Sequence, residues 1–103
     1  MALELRPNCE WCDCDLPPDS TSAMICTYEC TFCASCVDTK LQNVCPNCGG
    51  GFEKRPIRPK TAWRDGTSLH HQPASSKRRS LNWSVDNIAA HVDRLKDTAP
   101  QDR

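Results

Sequence analysis

The clearest alternation of apolar and polar residues lies near the C-terminal end of the chain. Four apolar residues recur there at helical spacing, namely Val85, Ile88, Val92 and Leu95. Ser84 precedes them as a plausible N-cap, and Trp83 and Ile88 occupy the positions of a hydrophobic staple. The pattern predicts a short amphipathic helix within residues 83–99 that ends before Pro100, followed by a disordered end over residues 100–103.

The apolar stripe of this helix needs a surface to pack on, because so short a helix is marginal in water by itself. Two surfaces would serve: the N-terminal part of the same chain, or a binding partner. Internal packing is the commoner use of such a stripe, and it is the interpretation we favour.

Residues 54–82 show little apolar periodicity. The segment is basic and contains proline and serine, and Pro56 and Pro59 push the residues before them out of the helical region. Such a composition buries too little apolar surface to offset the entropy of ordering. The sequence therefore predicts a disordered basic linker over residues 54–82.

The remaining residues, 1–53, contain all nine cysteines of the chain, between Cys9 and Cys48. A chain of 103 residues forms only a small core, so the cysteines are expected to stabilise it. The first residues lack the pattern of a secretory leader, no run approaches membrane-spanning length, and the odd cysteine count leaves a disulfide set incomplete. These features favour a cytoplasmic protein, without membrane association, in which thiolates bind metal.

The spacing of the cysteines is typical of zinc ligands. They form four pairs: Cys9 with Cys12, Cys26 with Cys30, Cys33 with Cys36, and Cys45 with Cys48. Four half-sites predict two structural Zn²⁺ ions, each in a closed site of four cysteines. A closed site has no open coordination position, so we expect no enzyme activity and no small-molecule substrate. Iron remains an alternative metal, because thiolate sites accept it too.

Two details of these pairs affect the ligand assignment. Cys45-Pro46-Asn47-Cys48-Gly49 is the sequence of a zinc knuckle, a tight turn whose backbone N–H groups can point at the sulfurs. Cys14 is the ninth cysteine and competes with Cys12 as a ligand, although the two-residue spacing from Cys9 favours Cys12. Cys14 is then a free thiol whose pKa the neighbouring Asp13 and Asp15 raise, with a redox-sensor role as the lesser alternative.

The order of the pairs resembles the RING-finger cross-brace in an all-cysteine form. The resemblance implies one site of Cys9, Cys12, Cys33 and Cys36 and a second of Cys26, Cys30, Cys45 and Cys48. It implies a small zinc-stabilised α+β domain of RING-like or treble-clef type over residues 1–53. It further implies a core aromatic at Phe32, a short hairpin that includes Ile25 and Tyr28, and a short helix over residues 37–43 with Val37 and Leu41 facing inward.

The same resemblance suggests a ubiquitin-ligase-like alternative, in which the domain docks a conjugating enzyme. Trp11, Leu41 and Pro46 stand roughly where RING domains place partner contacts and are candidate partner-binding residues. Gly49, however, follows the last cysteine where many active RING domains carry a basic residue.

Residues 1 to about 60 also resemble a family of small bacterial cysteine-rich proteins of unknown function. The motifs that carry the resemblance are Asp-Leu-Pro-Pro-Asp-Ser at 15–20, Glu-Cys-Thr-Phe-Cys at 29–33 and Cys-Pro-Asn-Cys-Gly-Gly-Gly-Phe at 45–52, after an N-terminal Leu-Arg-Pro-Asn-Cys stretch. The resemblance implies a fold and zinc binding but no activity, and it argues against a ubiquitin system.

The formal charge is zero overall but unevenly distributed. Residues 1–53 carry a formal −6 and residues 54–103 a formal +6. Residues 1–53 are called the head below, and residues 54–103 the tail. The basic linker is a candidate nucleic-acid contact, with Trp63 available to stack on a base; the alternative is a solvated segment that screens the acidic head. The candidate nucleic-acid-binding residues are Lys54, Arg55, Arg58, Lys60, Lys77, Arg78 and Arg79.

No catalytic constellation can be argued from the other residues. His70 and His71 lie in the linker and His91 lies on the predicted helix, without cysteine or carboxylate partners at ligand spacing, so we expect surface histidines. The sequence as a whole favours a structural-zinc-binding protein-interaction module whose partner protein it cannot name. The ubiquitin-ligase-like and nucleic-acid-binding roles remain the alternatives.

Overall fold

A small antiparallel sheet organises the N-terminal half of the protein. The computed structural model describes residues 2–103. The three strands are β1 (Ala23–Ile25), β2 (Thr31–Cys33) and β3 (Glu53–Lys54), in the order β2-β1-β3. Met24 in the central strand is paired with Phe32 on one side and with Lys54 on the other. The hairpin of β1 and β2 was predicted, whereas β3 was not.

A short helix follows β2 directly. Helix α1 (Ala34–Cys36) continues into a π-helical turn, Val37–Leu41. The helix begins earlier than the predicted residue 37, because the Cys33 side chain caps it by accepting a hydrogen bond from the Cys36 N–H. It ends at Gln42, whose φ of 47° is left-handed. Val37 and Leu41 are buried, as the sequence predicts.

The core of the head consists of cysteines and a few apolar side chains. Phe32 and Phe52 meet edge to face, with ring centroids 5.5 Å apart. Leu16, Ala23 and Val44 complete this core together with six of the nine cysteines. A core with so few apolar side chains is expected to need a stabilising contribution from its cysteines.

The C-terminal helix packs on this head. Helix α2 (Val85–Leu95) begins at Ser84, whose hydroxyl accepts a hydrogen bond of 3.1 Å from the Asn87 N–H. Ile88 and Val92 are buried in the common core and Leu95 packs against it, while Val85 is 57% exposed. The stripe therefore packs internally, as the favoured interpretation holds, but with three of its four residues.

The last residues form a turn where the sequence predicts a disordered end. A 3₁₀ turn, Pro100–Asp102, follows α2, and the guanidinium of Arg103 donates to the carbonyl oxygens of Asn43 and Gly49 at 2.8 and 3.1 Å. Because these carbonyls belong to the head, the hydrogen bonds return the chain end to the head.

Residues 54–82 follow a defined path along the head, where the sequence predicts a disordered linker. Strand β3 crosses the predicted boundary at residue 53. Beyond it, Arg58 donates to the carbonyl oxygen of Leu3 at 2.6 Å, and the Ser75 N–H donates to that of Leu5 at 3.0 Å. The prediction considered only apolar burial. In the structure, hydrogen bonds to the head fix the position of this segment instead.

None of the helices in residues 2–103 has the length and apolar content that crossing a lipid bilayer requires.

Candidate metal centre

The first and third cysteine pairs come together at one end of the head. The sulfurs of Cys9, Cys12, Cys33 and Cys36 all lie within 4.8 Å of one another. Cys9 and Cys12 are held by a turn in which the Asp13 N–H donates to the Cys9 carbonyl oxygen at 2.9 Å. Cys33 ends β2 and Cys36 ends α1, so the strand-to-helix junction positions both.

This cluster fits a tetrahedral ion with sulfur ligands. A metal–sulfur distance of 2.3 Å places the sulfurs of a regular tetrahedron about 3.8 Å apart. The sulfurs of Cys12 and Cys33, which come from different pairs, are 3.8 Å apart. Three of the four thiols are buried and Cys12 is exposed. The donor set and the spacing therefore suit a metal ion such as zinc.

The second and fourth pairs meet on the other side of the sheet's hairpin. The sulfurs of Cys26, Cys45 and Cys48 lie within 4.8 Å of one another. The knuckle turn that carries the last two is closed by the Gly49 N–H, which donates to the Cys45 carbonyl oxygen at 2.8 Å. The second cluster is thus a set of three sulfurs that could hold a metal ion.

Cys30, the fourth predicted ligand of this second cluster, is not part of the mutually close set. Its thiol nevertheless lies near enough to those of Cys26 and Cys45 to shift their pKa values. The Asn47 side-chain amide donates to the Cys30 sulfur at 3.4 Å. Cys30 therefore lies beside the cluster, and the predicted set of four is only partly brought together.

Backbone amides point at several of the sulfurs. N–H groups donate to sulfur from Cys36 to Cys33, from Tyr28 to Cys26 and from Gly50 to Cys48, at 3.3–3.4 Å. Such donors stabilise the negative charge of a thiolate and orient its lone pairs. Such N–H donors are typical of cysteines that bind metal through their sulfur.

The thiols of each cluster also shift one another's pKa. Hydrogen bonds from Cys30 and then Cys45 lower the pKa of Cys26 to about 3. The same bonds, made as donor to Cys26 and Cys30, raise the pKa of Cys45. In the first cluster the Cys14 N–H lowers the pKa of Cys12 to about 7. These mutual shifts reflect how close the sulfurs of each cluster lie to one another.

Cys14 is exposed and lies outside the mutually close sulfurs of the first cluster, which include Cys12 instead. Burial of its sulfur and then the neighbouring Cys12 thiol raise the pKa of Cys14 to about 12. The direction is the one that the sequence predicts. The causes are desolvation and then sulfur neighbours, rather than Asp13 and Asp15.

The three candidate partner-binding residues do not form one exposed surface. Leu41 is fully buried under the π-helical turn, and Pro46 is buried in the knuckle. Trp11 is half-buried and packs against the core, and Lys40 Nζ lies 5.6 Å from the centre of its ring. Apolar side chains of the head are drawn into so small a core, and only Trp11 of the three remains accessible.

The candidate nucleic-acid-binding residues separate into two groups. Lys54, Lys60 and Lys77 are exposed. The four arginines instead contact the head: Arg55 and Arg58 donate to backbone carbonyls, and Arg78 and Arg79 form ion pairs with acidic residues. Arg55 is only 1% exposed, so its assignment as a phosphate contact is wrong in this structure.

The role of Arg55 could not be read from the sequence. Its guanidinium donates to the carbonyl oxygens of Arg6, Leu16 and Pro17 at 2.8, 3.2 and 2.9 Å. Burial without a carboxylate partner lowers its pKa. The side chain thus connects residue 55 to the irregular segment that precedes β1. Nothing in a run of basic residues distinguishes it beforehand.

His91 was expected to be a surface residue, and the structure places it half-buried between α2 and the knuckle. His70 is exposed, and His71 Nδ1 lies 2.8 Å from the hydroxyl of Ser68 within one turn. These two therefore lie at the surface of a turn, as expected of histidines without metal partners.

Comparisons with known proteins give a family without an assigned role. Residues 2–58 match the family described as protein of unknown function (DUF1272). An uncharacterized protein of Rhizobium meliloti (strain 1021) is 59% identical over 76 residues, which cover 74% of this chain and 83% of that protein. No solved structure matches the chain. The matched residues contain both cysteine clusters.

Proposed function

The chain belongs to the DUF1272 family of proteins of unknown function, and from this premise we propose that it is a protein-interaction module whose head is shaped by two structural zinc ions. The proposal rests chiefly on the interleaving of the cysteine pairs. The first pair meets the third and the second meets the fourth, so each ion would tie together distant parts of the chain. Seven of the eight predicted ligands are grouped in this way, which supports a cross-brace of RING-like type.

Zinc accounts for the donor set better than other biological cations. Two clusters of four and three sulfurs, with Cys30 beside the second, suit a borderline-soft ion that accepts tetrahedral geometry. Ions of this kind contribute an apparent binding free energy of about 10–16 kcal/mol to folding. A head with so few apolar core residues needs a contribution of that size. Thiolate sites also require reducing surroundings, which supports a cytoplasmic location.

The proposed role is binding rather than catalysis. A zinc ion with four cysteine ligands has no vacant position for water or substrate. The cysteines would bind the ions, and the ions would fix the loops that bear the cysteines. The exposed surface of the head would then be the functional part. We propose that this surface recognises another protein.

Metal content is the direct test of this proposal. Native mass spectrometry of the full-length chain is expected to show the mass of two zinc ions per chain. Chelation is expected to remove the dispersed amide signals of the head in a ¹H–¹⁵N spectrum, and added zinc should restore them. A folded chain that carries no metal, a single ion per chain, or sulfurs bridged to one another would each refute the proposal.

A further inference from the structure

A buried amide side chain pairs with the backbone of the distant tail. Asn8 is fully buried, and its side chain holds both polar backbone groups of Arg79. Its Nδ2 donates to the Arg79 carbonyl oxygen at 2.8 Å, and its Oδ1 accepts from the Arg79 N–H at 3.1 Å. A side-chain amide that pairs with both the N–H and the C=O of one residue in this way contacts an extended segment through its backbone.

Acidic residues on either side of Asn8 add selectivity for arginine. Arg78 donates to the Asp13 carboxylate at 2.9 Å, to the Asp13 carbonyl oxygen at 2.6 Å and to the Asp15 carboxylate at 2.7 Å. Arg79 reaches the Glu4 carboxylate at 3.2 Å. Two consecutive guanidinium groups therefore have separate acceptors, with the geometry of charge-assisted hydrogen bonds.

The contact between the tail and the head leaves one polar group without a hydrogen bond and one ion pair open to solvent. The Nε atom of Arg79 is buried without a hydrogen-bond partner among residues 2–103. The ion pair of Arg78 is largely exposed on the acidic side, where salt and water weaken it. The contact is thus one that a competing segment can displace.

The two sides of the contact also differ in their relation to the family. Glu4, Asn8, Asp13 and Asp15 lie within the residues that match the family, while Arg78 and Arg79 lie beyond them. The receiving surface therefore belongs to the shared head and its occupant belongs to the tail.

We propose that these four residues form a docking groove for a partner protein that presents two consecutive arginines in an extended segment. Residues 77–80, which we term the strap, occupy the groove in cis and compete with the partner. The proposal rests on the proposed interaction function and names the class of partner. A tethered segment acts at an effective concentration of about 1 mM. A strap whose own Kd for the groove is about 0.1 mM would therefore weaken partner binding about ten-fold.

The test compares the groove facing its native strap with the groove facing a strap that lacks both guanidinium groups. The probe is the synthetic peptide Ser-Ser-Lys-Arg-Arg-Ser-Leu-Asn, which copies residues 75–82. It is titrated into the full-length metal-loaded chain and into the double variant Arg78→Ala/Arg79→Ala, with the side-chain amide signal of Asn8 as readout. We expect about ten-fold tighter binding by the variant than by the native chain, and weaker binding as salt is added.

Matched controls distinguish specific binding in the groove from nonspecific electrostatic attraction between the peptide and the chain. The double variant Lys60→Ala/Arg64→Ala removes two exposed charges of the tail and is expected to bind like the native chain. A peptide with glutamine in place of both arginines should not bind. Adding Asp13→Asn and Asp15→Asn to the strap variant should abolish binding while its metal content is unchanged.

Three results would overturn the docking proposal: equal affinity of the native chain and the strap variant, binding of the glutamine peptide, or a native chain that forms dimers by exchanging straps. Metal content measured on the same samples separates the two proposals. Chains that hold two zinc ions but bind no peptide refute the groove alone, whereas chains without metal refute the proposed function.

Discussion

The imidazole Nε2 of His91 lies 3.0 Å from the carbonyl oxygen of Cys45. A carbonyl oxygen only accepts, so Nε2 carries the hydrogen and the neutral ring has its Nδ1 unprotonated. The bond joins α2 to the first cysteine of the knuckle. The C-terminal helix is thereby linked to the second cysteine cluster by a polar contact as well as by the apolar stripe.

Replacing His91 is expected to loosen this link. The variant His91→Ala removes the hydrogen bond and leaves a half-buried carbonyl without its partner, which costs about 1 kcal/mol in the free energy of unfolding. Urea denaturation of the metal-loaded chain measures it. His70→Ala, which alters an exposed ring, is the matched control and should leave the free energy unchanged. Equal effects of the two variants would contradict the role of His91.

Cys12 and Cys14 are expected to differ in their effect on metal content. Cys12 belongs to the four mutually close sulfurs and Cys14 does not. The variant Cys12→Ser should therefore lose one metal ion per chain, or bind it much more weakly, while Cys14→Ser retains both. Native mass spectrometry gives the two stoichiometries directly. The opposite pattern would assign the ligand to Cys14.

Arg55 is expected to matter far more for stability than its neighbour. Removing the buried guanidinium in Arg55→Ala leaves three carbonyl oxygens without a donor and should cost about 3 kcal/mol or more. Lys54→Ala removes an exposed charge and should change the free energy of unfolding by less than about 0.5 kcal/mol. Arg55→Lys should fall between them, because an ammonium group lacks the planar fork that reaches three acceptors.

For these variants thermal unfolding at constant zinc concentration is the measurement. Comparable melting temperatures for Arg55→Ala and Lys54→Ala would show that residue 55 lies at the surface, contrary to its 1% exposure.

Two glycines with the same backbone conformation offer a test of how α2 packs. Gly49 has a φ of 80° and Gly66 a φ of 79°. An added Cβ would lie 3.2 Å from Leu95 Cδ1 at Gly49 but would meet nothing within 4 Å at Gly66. Gly66→Ala should therefore cost about 1 kcal/mol from backbone strain alone. Gly49→Ala should cost at least about 1 kcal/mol more, because Leu95 must move.

The comparison of the two alanine variants uses chemical denaturation under identical metal conditions. If both lose the same stability, α2 does not lie against the knuckle at Gly49.

Parts of the fold and of the site follow from the sequence because their signals are local. The two-residue spacing of Cys9 with Cys12 and of Cys45 with Cys48 is itself the geometry of a half-site. The stripe of Ile88, Val92 and Leu95 follows from the helical period. The interleaving of the pairs came from resemblance to a known pattern, and the observed clusters agree with it except at Cys30.

The path of the tail along the head could not be predicted from local sequence patterns. A run of lysines and arginines has no periodicity, and a long guanidinium side chain can bind any carbonyl or carboxylate that the fold presents. The sequence alone therefore established where sulfur ligands pair and where an amphipathic helix forms, since neighbours in the chain decide both. Tertiary structure alone decided that Arg55 is buried and that Arg79 meets Asn8, because their partners lie dozens of residues away and only the folded head brings them within reach.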